Sequence, residues 1–206
     1  MIAIVVHGGA GGTSSTQERG CSRAAQIGME ILRKGGLALD AAVAVVEWME
    51  NSGIFDAGTG SVLRFDGVTI QMDALVATSG GLLGAVGAVE NVKNPVLLAR
   101  VVAEETPHKL LVGLGATKFA RDKGLLEHPG PNEQAKRRHQ RLLRAIQKGR
   151  YNAAPGWAPG ALAELLKEQL WENGDGDPSL IEPKSDTVGA IALDALGNFA
   201  VAASTG

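Results

Sequence analysis

The chain has 206 residues, 45% of them hydrophobic, a formal net charge of -2 and one cysteine, Cys21. That is enough chain for one domain with a substantial core, and its charge gives no global field favouring nucleic acid or an anionic membrane. One cysteine excludes an intrachain disulfide and argues against a cysteine-built zinc site.

Residues 2–6 form a short apolar run that enters a glycine loop, which predicts a buried strand. The run is too short, and too uncharged at its start, for a secretory signal. With no window of about 18 apolar residues to span a membrane, the expected location is the cytoplasm. Residues 23–34 predict an amphipathic helix with Ala24, Ile27, Ile31 and Leu32 on one face, ended by Gly35-Gly36. Residues 37–50 predict a second, well-buried helix. Residues 62–65 and 68–72 flank Asp66-Gly67, a two-residue hairpin signal. A strand is expected over 83–89 and a helix over 95–104, where Pro95 takes a favoured first helical position. A strand over 110–112 and a helix over 116–123 follow. Residues 131–148 predict a basic helix and 160–172 a further one, and the stretch from Asn173 to Lys184 is too polar and turn-rich to bury. Residues 188–193 and 199–203 flank Ala195-Leu196-Gly197-Asn198, a second hairpin. Strands before and after runs of helices suggest sheet layers covered by helices. With 28 glycines and 4% aromatics, the chain is built for close backbone packing and offers no platform for stacking bases.

His7-Gly8-Gly9-Ala10-Gly11-Gly12 follows the first strand, where a dinucleotide fingerprint would stand. Counted from Gly9 the sixth position is Ser14, and counted from Gly8 the third is Ala10, so neither register fits. The stretch reads instead as a tight turn where backbone passes close to something. The basic run 136–144 has no interleaved aromatics and carries leucines at helical spacing, so it reads as a solvated helix face rather than a nucleic-acid patch. His108 reads as part of a turn, and His7, His128 and His139 have no metal-ligand spacing.

Thr187 opens the apolar run that follows Ser185-Asp186. It is either ordinary strand composition or a future N-terminus. If the bond after Asp186 is cut, Thr187 gains an α-amine with a pKa of about 7.7 to 8.0 beside its own hydroxyl. That is an activated nucleophile within one residue, and Asp186 supplies a carboxylate able to take a proton at the scissile bond. Thr205 lies eighteen positions later, and the intervening hairpin would place the two on adjacent strands. Thr187 is expected to start a strand, to be at least partly buried and to lie close to Thr205.

These motifs occur in a fixed order: His-Gly-Gly-Ala-Gly at 7–11, Phe-Asp-Ala-Gly-Thr-Gly-Ser at 55–61, Asn-Pro-Val-Leu-Leu-Ala-Arg at 94–100, Glu-Thr-Pro-His at 105–108, Leu-Val-Gly-Leu-Gly-Ala at 111–116, the Thr187 segment, and Ala-Ser-Thr-Gly at 203–206. Together they resemble the plant-type asparaginase and isoaspartyl peptidase family of N-terminal-nucleophile hydrolases, with residues 125–183 the least family-like. The resemblance implies an α+β fold, the four-layer αββα sandwich, as a single domain over 1–206 that is incomplete at its C-terminus. It implies autocatalytic cleavage between Asp186 and Thr187. Residues 1–186 would be the prospective α subunit, with a linker at about 173–186, and 187–206 the start of a β subunit. The implied activity is hydrolysis of L-asparagine or β-aspartyl (isoaspartyl) dipeptides, with Thr187 and Thr205 catalytic. His7, Gly8, Gly9 and Gly11 would lie beside the nucleophile. Backbone carbonyls of Met49, Glu50, Ser52, Phe55, Ala57 and Thr59 would hold a sodium ion, and no organic cofactor is implied. Where the family usually has leucine, proline and asparagine, this chain has Met49, Gly53 and Asp56. The family's substrate clamp and oxyanion groups lie beyond Gly206, so residues 1–206 alone are expected to turn over little substrate. The implied partners are a small amino-acid or dipeptide substrate and a second αβ unit, with no nucleic acid and no membrane. The alternatives are an uncleaved or non-catalytic fragment of this family and an unrelated small-ligand-binding α/β domain.

Overall fold

The computed structural model describes residues 1–10, 14–147 and 187–206. Strand β1 (Ala3–His7) leads into helix α1 (Ser15–Arg33), which starts well before the predicted residue 23. The reason is a capping box: Ser14 Oγ accepts from Gln17 N–H, and Gln17 Oε1 accepts from Ser14 N–H, both at 3.2 Å. After Gly35, at φ 81°, helix α2 runs over Ala38–Ser52. Strands β2 (Met72–Thr78) and β3 (Leu83–Val89), helix α3 (Pro95–Glu105), strand β4 (Leu110–Val112) and helices α4 (Gly113–Asp122) and α5 (Glu133–Gln147) follow. The hairpin β5 (Thr187–Leu193) and β6 (Phe199–Thr205) comes last. The predicted helix over 160–172 and the loop after it lie outside the described residues.

The hairpin predicted around Asp66-Gly67 is not there. The turn itself forms, since Asp66 Oδ1 accepts from Val68 N–H at 2.9 Å and Thr69 N–H at 2.8 Å. Its arms do not become a ladder, because Val62 N–H is committed to Gly206 O at 3.2 Å and β2 begins only at Met72.

The strands form one six-stranded sheet in the order β1-β5-β6-β2-β3-β4, antiparallel except for the last pair. Helix α2 packs on β5 and β6, α3 on β2 and β3, and α1 on α2 and β1. The face toward the helices carries Met72, Val76, Val86, Val188, Ala190, Ala192, Ala200 and Ala202, all buried. Small residues set the spacing. A Cβ on Gly84 would stand 2.3 Å from Ala99 O, and one on Gly28 would stand 2.1 Å from Ile4 Cδ1. Each buried valine or methionine contributes about 1.5 to 3 kcal/mol to this layer.

Strand alternation puts the other residues on the opposite face. There Val5, Leu75, Leu83, Ile191 and Phe199 stand exposed, Val5 to 65%. The described residues thus make two layers, helices and one sheet, with the second sheet face open. No helix among them is long and apolar enough to cross a membrane.

Candidate active site

Asp194 sets the register of the β5–β6 hairpin at its closed end. Its Oδ1 accepts from Leu196 and Asn198 N–H, each at 3.0 Å. Its Oδ2 accepts from Ala38 N–H at 3.2 Å, which ties the turn to the start of α2. Counting back from that turn, Thr187 and Thr205 face one another as Cα partners at the open end. Directly opposed residues point to the same face, with Cβ atoms about 4.5 to 5.5 Å apart. Thr187 is exposed rather than partly buried as expected, because it is the first residue of β5 and stands on the open face. Thr205 is half-buried, and on its other side it is the Cα partner of Asp73 on β2.

The glycine loop meets this rim from β1. His7 is the Cα partner of Gly189, and a Cβ on Gly189 would stand 2.3 Å from His7 Nε2. The imidazole therefore lies over Gly189, two positions from Thr187 on the same face. At Gly8 a side chain would strike Phe55 at 2.5 Å and Cys21 Sγ at 2.9 Å. Gly9 has φ 102°, a conformation that favours glycine. Gly11 and Asp186 lie outside the described residues. Burial pushes the Cys21 thiol pKa up, which disfavours the reactive thiolate.

The segment 49–60 approaches from the other side. Helix α2 ends at Gly53 in a left-handed conformation, and Ser52 Oγ donates to Met49 O at 2.7 Å. Phe55 is fully buried under the glycine loop. Glycines let the carbonyls close in: a Cβ on Gly60 would stand 2.0 Å from Phe55 O and 3.2 Å from Gly53 O, and one on Gly58 2.7 Å from Glu50 O. Among the carbonyls proposed from the sequence, Phe55 O accepts from Ala57 N–H at 2.8 Å, Ala57 O from Gly60 N–H at 3.1 Å, and Thr59 O from Asn132 Nδ2 at 2.9 Å. Each carbonyl has a second lone pair to offer. The segment is docked on the end of β6, since Gly206 N–H donates to Asp56 O at 3.2 Å.

Sequence reasoning missed the groups that brace this segment. His128 Nε2 lies 2.9 Å from Gly58 O while its Nδ1 accepts from Gly130 N–H, which fixes the proton on Nε2. Asn132 caps α5 through Ala135 N–H while its amide reaches Thr59 O. Arg138 forms an ion pair with Asp56. The basic helix is therefore not merely a solvated face. An asparagine before Glu133 was a legible capping signal; the Arg138–Asp56 pair had no signature in local spacing.

Beneath the site, Glu50 is fully buried. Its Oε1 accepts from Val96 N–H and its Oε2 from Asn94 Nδ2, both at 3.0 Å. Burial pushes its pKa up to about 7, against the opposing pull of Ser204, Asn94 and the Val96 N–H. The Ser204 hydroxyl is buried close by without a hydrogen bond of good geometry.

Comparison with known proteins places this arrangement. The chain matches the family described as Asparaginase over residues 1–206. A plant-type L-asparaginase of Pyrococcus abyssi is 41% identical over 201 residues, covering 94% of this chain and 60% of that protein. An isoaspartyl peptidase/L-asparaginase of Rattus norvegicus is 39% identical over 211 residues, covering 100% of this chain and 56% of that protein. The Homo sapiens protein of the same description is 38% identical over 209 residues, covering 98% of this chain and 59% of its own length. The chain thus spans less than two thirds of these relatives. With the paired threonines, the glycine loop and the glycine-lined carbonyl turn in one place, these matches show that the chain belongs to the plant-type asparaginase and isoaspartyl peptidase family.

Proposed function

We propose that the complete protein is an autoprocessing threonine amidohydrolase acting on L-asparagine, on β-aspartyl dipeptides, or on both. The observation that carries this reading is the direct pairing of Thr187 with Thr205 at an accessible sheet rim. In the first reaction Thr187 Oγ attacks the carbonyl carbon of Asp186. The peptide nitrogen leaves as the amine of Thr187, and an ester remains. Water cleaves that ester, with the Asp186 carboxylate taking a proton. The freed amine then serves as base for the Thr187 hydroxyl. In turnover Thr187 Oγ attacks the substrate's side-chain carbonyl, ammonia or an amine departs with a proton, and water releases aspartate from the β-aspartyl ester.

In this reading the carbonyls of Met49, Glu50, Ser52, Phe55, Ala57 and Thr59 would hold a sodium ion, a hard cation that takes oxygen ligands; what supports it is that Gly58 and Gly60, lacking side chains, let Glu50 O and Phe55 O approach closely. A bound sodium would supply a fixed positive charge that holds the turn together. The exposed apolar residues of the second sheet face support a second sheet and helix layer over it, the αββα sandwich. A single domain divided by cleavage into α and β subunits, a dimer of such units and a cytoplasmic location belong to the same proposal. So does the expectation that residues 1–206 alone have little turnover.

The test is mass spectrometry and turnover of the full-length protein beside Thr187→Ala and the 206-residue chain. We expect a split between Asp186 and Thr187, turnover by the full-length form, and neither in Thr187→Ala. Turnover surviving in Thr187→Ala would refute the nucleophile assignment. Turnover by an intact, unsplit chain would refute autoprocessing.

A further inference from the structure

We propose that Asp73 is a positioning residue of this site: it sets the direction of the Thr205 hydroxyl and, through it, the orientation of Thr187. This rests on the nucleophile assignment above.

The sheet register carries the inference. Thr187 is the Cα partner of Thr205, and Thr205 is the Cα partner of Asp73. Direct partners across antiparallel strands share a face. The three side chains therefore stand abreast on β5, β6 and β2, on the open face, with Asp73 and Thr187 exposed. An exposed carboxylate at the end of that row would be unremarkable if it were free to turn, but it is held. Asp73 lies at a register shift between β2 and β3, where Gly87 and Ala88 bulge opposite it. Its Oδ1 accepts from Ala88 N–H at 2.8 Å. Ala88 itself has φ 49°, the left-handed region that a non-glycine residue rarely adopts. The strained bulge and the carboxylate hold each other, and the residue directly across the strand pair is Thr205.

Hydrogen-bond polarity gives this placement its consequence. An ionised carboxylate only accepts, while a threonine hydroxyl has one proton to give and lone pairs to accept. If Thr205 gives its proton to Asp73, it meets Thr187 as an acceptor only. It then receives an N–H or O–H of Thr187 and fixes that group in one orientation, with the amine's lone pair directed at Thr187's own hydroxyl. No bond is made or broken at Asp73. Its part is to exclude the opposite arrangement, in which Thr205 donates to the Thr187 amine and occupies the lone pair that must act as base.

Asp73→Asn tests this, because the substitution keeps the shape and reverses the polarity. The amide oxygen must stay on Ala88 N–H, so the amide NH2 turns toward Thr205 and forces it to donate the other way. In the full-length protein we expect kcat to fall roughly 10- to 100-fold, the span of a hydrogen bond to a charged group, with KM and melting temperature nearly unchanged. In a Thr205→Val background, Asp73→Asn should cost nothing further. An Ala88→Gly background relieves the left-handed strain and keeps a folded protein to assay if the bulge weakens. A kcat within about twofold of the parent, or the same fall in the Thr205→Val background, would overturn the role of Asp73. Turnover surviving in Thr187→Ala would overturn the nucleophile reading and this role together; loss there with an unaffected Asp73→Asn would overturn this role alone.

Discussion

Glu50 should make the fold weaker as pH rises, and Glu50→Gln should remove that weakness. The carboxyl is fully buried, and its pKa stands at about 7 in the fold against an ordinary 4.5. Between these values the folded chain keeps a proton that the unfolded chain releases. The stabilisation linked to that proton is fully present below 4.5 and is lost as pH climbs through 7. At about 1.4 kcal/mol per pKa unit, the loss totals about 3 kcal/mol. Protonation also suits the surroundings, since the acid can donate to Ser204 Oγ, which otherwise lacks a partner. Glutamine cannot ionise. It does place an NH2 against Asn94 Nδ2, which costs about 1 to 3 kcal/mol at every pH. The diagnostic quantity is therefore the slope and not the offset. Urea unfolding near pH 5 and pH 8, at constant sodium, should show the wild type losing about 2 kcal/mol or slightly more of that total relative to Glu50→Gln. Parallel pH profiles for the two proteins would refute the reasoning. They would mean that the Val96, Asn94 and Ser204 donors hold the carboxylate charged throughout.

Three further outcomes follow from the packing. Arg138→Ala removes the ion pair that Arg138 makes with the largely buried Asp56 carboxylate and should cost about 1 to 3 kcal/mol in urea unfolding, most of it recovered by adding Asp56→Asn. Gly60→Ala puts a Cβ 2.0 Å from Phe55 O, so the turn must open; a melting temperature lowered by several degrees is expected, with a reduced response to added sodium. Ile191→Asp, at a side chain 49% exposed among the described residues, should lower the melting temperature of the full-length protein if a second sheet covers this face; the 206-residue chain should be little changed.

Local signals carried most of the described fold and part of the geometry of the candidate site. The β5–β6 hairpin was legible because Gly197-Asn198 breaks two apolar runs, and with it came the Thr187–Thr205 pairing. Helix α1 was read too short because polar residues in its first turns masked the Ser14–Gln17 capping box, a signal that was present in the sequence. Asp66-Gly67 was over-read: a turn signal specifies the turn, while pairing depends on whether the arms have better partners, and Val62 had Gly206. The exposure of Thr187 was misjudged because an apolar strand says that one face is covered without saying which layer covers the other. What the Glu50, His128 and Asp73 side chains do was invisible for a different reason. Each acts on groups far away in sequence, and only the sheet register or a helix end brings those groups together.

The exchange of asparagine for Asp56 shows how such a long-range pair changes the meaning of a sequence departure. Taken alone, Asp56 adds negative charge in a turn docked on Gly206, and its side chain is only 14% exposed. A charge that buried requires a partner. The partner comes from α5, whose Arg138 reaches back to Asp56 while Asn132 at the same helix start holds Thr59 O. One helix thus neutralises the charge and fixes the turn that carries it. Gly206 N–H, donating to Asp56 O, passes that position directly to the end of β6 and so to Thr205. The departure at Asp56 is therefore half of a pair, and the other half lies in a helix whose charges, read from the sequence, belonged only to solvent.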